Sequence, residues 1–200
     1  LANVLVGDVN PTGKLPMTFP STEADLPHPV IPALSPADRG AGSGAVNDSK
    51  RVASDYTVHY DEGLKVGYKW YESEHKEPLF PFGFGLSYTT YAYSSLKADD
   101  THRTVSFAVK NTGKRAGTEI AQVYATPPEA AGEPFKRLVG WQRVDLAPGE
   151  SKTVTVTVDP RVISIFDEQT NAWSLLPRAY KIVAGPSSSE TPLNGTLQTR

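Results

Sequence analysis

Thr153-Val154-Thr155-Val156-Thr157-Val158 alternates apolar and polar side chains without a break. An extended chain sends successive side chains to opposite faces, so this hexapeptide predicts a strand with valines in a core and threonines in water. Its β-branched residues suit a half-buried pleated surface. Outward from it the pattern recurs. Val105, Phe107 and Val109 alternate before the turn Asn111-Thr112-Gly113, Ile120–Tyr124 runs to Pro127-Pro128, and Leu138–Leu146 stops at Ala147-Pro148-Gly149-Glu150. Ser95–Ala98 precedes a turn at Asp99–His102; Val162–Phe166 and Ala172–Leu175 are shorter runs, and Tyr180, Ile182 and Val183 close the series. About seven strands with turns at intervals of ~10 residues predict an immunoglobulin-like antiparallel β-sandwich over residues 91–200. Val105, Phe107, Val109, Val154, Val156 and Val158 should face inward, and Thr153, Thr155 and Thr157 outward.

The first ninety residues read differently. Pro78-Leu79-Phe80-Pro81-Phe82-Gly83-Phe84-Gly85-Leu86-Ser87-Tyr88-Thr89 is a rigid, packed connector: prolines remove donors, glycines permit positive φ, and the large apolar side chains demand burial. Leu1–Gly7 has the pattern of a helix end stopped by glycine, and so short a helix is not stable alone, so the chain is expected to begin inside a larger element. Lys14–Phe19 is a short strand candidate bounded by prolines. Residues 21–55 are rich in Pro, Gly, Ala and Ser and predict a long surface loop. Tyr56, Val58 and Tyr60 alternate, and Val66–Tyr71 is aromatic-dense, reading as a strand or single turn that packs rings into a core. A second reading makes Tyr68, Trp70 and Tyr71 an aromatic wall for the C–H faces of a sugar.

Composition narrows the chemistry. The 200 residues carry a formal net charge of −2, which draws neither nucleic acid nor an anionic membrane. No cysteine is present, so disulfides and thiolate metal sites are ruled out, while the compartment stays open, with a secreted or periplasmic setting preferred. Asp61 and Glu62 are adjacent and point apart on an extended chain, so they cannot flank one substrate. Glu72, Glu74 and Glu77, with His75 and Lys76, read as a solvated loop. His28, His59, His75 and His102 are too scattered for a metal site, and no cofactor is implied. Asn47-Asp48-Ser49 and Asn194-Gly195-Thr196 fit glycosylation acceptors, triplets that also arise by chance.

Several motifs, in order, resemble the C-terminal portion of glycoside hydrolase family 3, which includes β-glucosidases and β-xylosidases. Gly7–Pro20, Tyr60–Tyr71 and the Pro78–Thr89 connector are similar to the end of that family's α/β sandwich domain. Val109–Gly113, Ala116–Tyr124, Pro134, Lys136, Leu138, Gly140, Trp141, Leu146–Ser151, Trp173, Tyr180, Gly185 and Ser187-Ser188 resemble its fibronectin type III-like domain. Ala179 departs from a usual glycine and Ala125 from a frequent β-branched residue.

The resemblance implies a mainly β chain: a fibronectin III-like sandwich at 91–200 preceded by an incomplete C-terminal piece of an α/β sandwich domain at 1–90, with a loop at 21–55 and the connector at 78–90. The family has a barrel with an aspartate nucleophile and a middle domain with a general-acid glutamate. Both lie upstream of the segment that Leu1 matches, so no catalytic residue is carried over. A retaining enzyme that removes β-linked glucose or xylose from non-reducing ends of oligosaccharides and aryl glycosides is implied, with the N-terminal remainder of the same enzyme as partner. Tyr68, Trp70 and Tyr71 would touch outer sugar subsites, and self-association into a homo-oligomer stays open. A non-catalytic carbohydrate-binding or adhesion module is the competing reading.

Overall fold

The computed structural model describes residues 2–29, 60–133 and 135–199. Strands β1 (Tyr91–Asp99), β2 (Thr104–Asn111) and β5 (Ser151–Thr157) form one antiparallel sheet in the order β1-β2-β5. A second sheet runs β4-β3-β8-β9, built from β3 (Gly117–Thr126), β4 (Arg137–Leu146), β8 (Ala179–Gly185) and β9 (Leu193–Gln198). Three strands against four, all antiparallel, make the expected sandwich.

Register follows the hydrophobic alternation. Val105 pairs with Val156 and Phe107 with Val154 across β2 and β5, and all four are buried together with Val109 and Val158. Thr153, Thr155 and Thr157 are exposed. From the facing sheet, Ala121, Val123 and Ala125 of β3, Tyr180, Ile182 and Ala184 of β8, and Leu197 of β9 close the core. A one-residue slip would turn each of these sets to solvent, so the alternation fixes the pairing.

Three strand expectations change in detail. Asp159 caps a short helix, Pro160–Ile163, accepting a hydrogen bond from the Arg161 amide at 2.9 Å. Proline at the first helical position favours the turn, so only Ile165–Asp167 (β6) remains extended. It pairs with Ala172–Ser174 (β7) in a separate two-stranded ribbon outside the sandwich. The seventh sandwich strand is β9, whose Leu193 and Leu197 are separated by Asn194-Gly195-Thr196, a weak β pattern. Asn194 is exposed on it, while Asn47-Asp48-Ser49, Tyr56, Val58 and His59 lie outside the described residues, as does most of the 21–55 loop.

Before the sandwich, regular structure is sparse. A helix spans Ala2–Leu5, Gly7 follows at φ 85°, and Glu23–Asp25 forms one 3-10 turn. Lys14–Phe19 is not a strand. Its pairing reduces to two points, Leu15 with Gly83 and Phe84, and Phe19 with Phe80, because Pro16 and Pro20 have no amide to continue a ladder. Polar contacts fasten this segment to the sandwich. The Asn10 side chain accepts hydrogen bonds from Ser87 Oγ and the Tyr88 amide and donates to the Ala116 carbonyl at 3.0 Å. Lys14 Nζ reaches Glu119 Oε1 at 3.0 Å, and Gln122 Nε2 donates to the carbonyls of Gly83 and Pro186.

Candidate functional site

Val66–Tyr71 turns into a helix, Tyr68–Ser73, rather than a strand. Gly67, at φ 56°, reverses the chain in front of it, and among the described residues no strand pairs with Tyr68–Tyr71. Glu72 therefore stands on a helix, not in a solvated loop.

Helical spacing separates the three candidate aromatics. Tyr68 and Tyr71, three residues apart, share a face, whereas Trp70 points elsewhere. The Tyr68 ring lies 5.1 Å from Phe82 of the connector and edge-on to Tyr124 of β3 at 5.8 Å. Its hydroxyl accepts a hydrogen bond from the Leu138 amide at 2.9 Å, so this residue ties helix, connector and sandwich together. Burial raises its pKa, keeping the phenol protonated. Trp70 is half-buried, donates Nε1–H to the Asp25 carbonyl at 3.0 Å, and carries Lys76 Nζ 5.7 Å from its ring centre. Tyr71 is only 6% exposed. Burial raises its pKa too, and its hydroxyl has no hydrogen-bond partner among the described residues.

Tyr68 and Tyr71 open onto a cleft of about 220 Å³ between the helix and the sandwich, lined also by Thr18, Glu72, Lys76, Lys136 and Ser188. Thr18 Oγ1 and Glu72 Oε2 join Tyr71 OH as buried polar atoms lacking a hydrogen bond. Lys136 Nζ stands 3.2 Å from Glu72 Oε2 as a charge contact, and Lys76 Nζ is 3.9 Å from Asp25 Oδ1. Sequence reading missed Thr18, Lys136 and Ser188 as members of one site. They come from three distant stretches, and only the folded seam brings them together.

His28, Glu62 and Glu74 are engaged elsewhere. His28 Nε2 contacts Glu62 Oε2 at 2.6 Å, a hydrogen bond that lowers the Glu62 pKa. Glu74 is lowered by a hydrogen bond from Lys65 Nζ at 3.1 Å. Among the described residues no three His, Cys, Asp or Glu side chains gather as metal ligands, and no helix is long and apolar enough to cross a membrane.

Residues 1–88 match the Glycosyl hydrolase family 3 C-terminal domain, and residues 119–188 match the Fibronectin type III-like domain. The chain is 38% identical to thermostable beta-glucosidase B of Acetivibrio thermocellus, over 99% of this chain and 25% of that protein. It is 39% identical to beta-glucosidase B of Emericella nidulans, over 94% of this chain and 22% of the relative. The chain thus spans about a quarter of the length of the curated relatives it matches. Among solved structures, beta-D-glucoside glucohydrolase from Trichoderma reesei superposes with a TM-score of 0.81 at 29% identity, covering 99% of this chain and 28% of that one. Beta-glucosidase 3B from Thermotoga neapolitana in complex with glucose gives 0.79 at 35% identity, covering 98% of this chain and 26% of that one.

Proposed function

The chain belongs to glycosyl hydrolase family 3, and from that premise we propose that it is the C-terminal portion of a retaining β-glucosidase. The whole protein then removes glucose, or xylose in a closely allied specificity, from the non-reducing ends of β-linked oligosaccharides and aryl glycosides. Residues 1–90 complete an α/β sandwich domain begun upstream, and residues 91–200 form the fibronectin-like domain that braces it. The family resemblance places the catalytic aspartate and glutamate, two carboxyl groups that a retaining enzyme holds ~5–5.5 Å apart across the scissile bond, in the part of the enzyme outside these 200 residues.

One observation carries the reading: both ends of the chain match the family in order, over about a quarter of each relative. The surface agrees with it. Among the described residues, thirteen of the seventeen exposed large hydrophobic side chains precede residue 91, from Leu5 to Tyr88, which suits a face meant to be covered by the upstream part of the enzyme.

The test uses an aryl β-glucoside. The 200-residue chain alone should leave it intact, and the full protein should cleave it with retained anomeric configuration. Hydrolysis by the purified chain would overturn the placement of the carboxylates. Tyr68, Trp70 and Tyr71 are proposed as outer-subsite contacts, and Trp70→Ala in the full protein separates contact from framework. A contact role raises KM several-fold with Tm nearly unchanged. A framework role instead lowers stability by about 3 kcal/mol and leaves KM alone.

A further inference from the structure

We propose that an apolar groove at Trp141, on the outer face of the four-stranded sheet, is an interface for the part of the enzyme upstream of this chain. Trp141 is 64% exposed. Its neighbour fixes its direction: Gly140 faces the core so closely that a Cβ there would collide with the Val156 side chain. Alternation then turns Trp141 outward, directly across from Gln122 of β3.

The outer face of β3 is not the wet face that an antiparallel sheet commonly keeps. Ile120, Gln122 and Tyr124 lie on it, opposite to the core residues Ala121, Val123 and Ala125. Gln122 and Tyr124 are buried all the same, because the first ninety residues cover them. The Tyr68 ring packs edge-on to Tyr124, and its hydroxyl accepts from the amide of Leu138, the residue paired with Tyr124. The Gly83 carbonyl holds Gln122. The cover ends in the middle of the next pair, with Gln122 hidden and Trp141 open among the described residues. Leu15, Pro16, Phe82, Ile120, Leu138 and Trp141 wall a groove of about 250 Å³ there. Two residues beyond Trp141, Arg143 pairs with Asp145 at 3.3 Å, both largely in water, a polar border of the kind that rims an interface.

The occupant follows from what covers the rest of this face. Helix and connector belong to residues 1–88, which match the family's C-terminal domain, and the remainder of that domain is the part placed upstream above; the inference rests on that reading. From the groove the chain leads directly from Leu15 and Pro16 to Met17 and Phe19, and back from Phe82 to Phe80 and Leu79. All four of those flanking side chains are exposed. One apolar surface therefore runs from the first ninety residues onto the sandwich, and one body can seal both. The chain spans about a quarter of its relatives' length, so such a body is large enough to reach both. A small polar ligand fits less well, because the polar side chains beside the groove are engaged: Gln122 with Gly83, Pro186 and Tyr124 OH, and Lys14 with Glu119. Tryptophan in an apolar setting with a polar border is the usual anchor of a protein contact.

The test uses the full protein carrying Trp141→p-benzoylphenylalanine, which keeps an aromatic ring at the position. After irradiation, mass spectrometry should find position 141 joined, within one molecule, to a residue upstream of Leu1. A cross-link to a second copy, or to another part of these 200 residues, would overturn the assignment, as would a ring that joins nothing. Oxidative footprinting of the unaltered protein covers the case of a variant that fails to fold. Trp141 should be oxidised about tenfold more slowly than in the urea-unfolded protein, as a ring in a dry interface is. An equal rate would place it in water and refute the interface. Aryl β-glucoside hydrolysis is followed in the same preparation. An inactive protein that cross-links upstream loses the proposed activity and keeps the interface, whereas an active one without that link loses the interface alone.

Discussion

The sandwich and the ninety residues before it draw on the same apolar alphabet and spend it in opposite ways. Phe107 and Tyr180 disappear between the sheets, in the one core that residues of both sheets share. Phe19, Phe80 and Tyr88, in the earlier segment, keep more than a third of their surface in water, and their hydrogen bonds stay inside that segment: Phe19 and Phe80 exchange backbone bonds, and Tyr88 OH donates to the Val4 carbonyl. Alternating strands enclose their own core, because each sheet has one apolar face and the two faces meet. The earlier segment supplies surface without a second layer. The lesson is energetic: one region is held by area removed from water, and the other by a short series of polar latches.

The largest test of that contrast is a pair of phenylalanines. Phe107 is 1% exposed and Phe80 39%. Phe107→Ala should cost about 4 kcal/mol in equilibrium denaturation of this chain. Phe80→Ala should cost about 1 kcal/mol, the scale of its ring contacts with Phe19 and Phe84. Equal losses would break the distinction. In the full protein, where we place an upstream layer over Phe80, its loss should rise toward that of Phe107.

A smaller test addresses the latches. Lys14 and Glu119 are both nearly inaccessible, and Glu119 Oε1 also accepts from Tyr93 OH at 2.9 Å. Lys14→Met removes the only cation that bonds to that carboxyl among the described residues and should loosen the seam by about 3 kcal/mol, since breaking one side of a buried pair leaves the other uncompensated. Hydrogen exchange locates the effect: the amides of Leu15, Phe19 and Gly83, which pair within the segment that Lys14 fastens to the sandwich, should lose protection before those of Val105 and Val156. Uniform loss would mean that segment and sandwich open as one unit.

The sandwich was legible because valine and threonine alternate in the β5 run and period 2 leaves one register. β9 was not, because Gly195 interrupts its pattern and its pairing is won from β8 rather than from its own residues. The helix at Tyr68 was read as a strand or turn because its aromatic content favours strands, and the residue that decided otherwise was Gly67 at positive φ. Family motifs pointed to Tyr68, Trp70 and Tyr71 as a group, yet nothing in the spacing of single letters shows that Thr18 and Lys136 share a cavity with Tyr71. Cavities depend on long-range packing, and the hydrogen bonds that fasten the segment to the sandwich reach from 39 residues, Gly83 to Gln122, to 106, Asn10 to Ala116.

The smallest expected effect is a pH dependence seated at Glu119. The carboxyl is 4% exposed, and burial raises its pKa even though Lys14 and the hydrogen bonds from Lys14 and Tyr93 pull it down; Glu190 adds to the rise. A raised acid binds its proton more tightly in the folded chain than in the unfolded one. The folded state is then favoured by this group below the unfolded carboxylate value of ~4.3, and that advantage is lost as pH climbs through the higher folded value. Asp99, Asp145, Glu150, Asp159 and Asp167 work the other way, since hydrogen bonds lower their pKa values and their stabilisation fades on acidification. Glu119→Gln isolates the buried group, because the amide keeps an acceptor for Tyr93 and cannot ionise. Below pH 4 the variant and the parent should melt together. Above the raised value the variant should be equal or more stable, because it is spared the ionisation that burial disfavours. A parent that instead gains on Glu119→Gln as pH rises would show that Lys14 outweighs desolvation, and the seam would then be held by charge attraction rather than by hydrogen bonding to a reluctant acid.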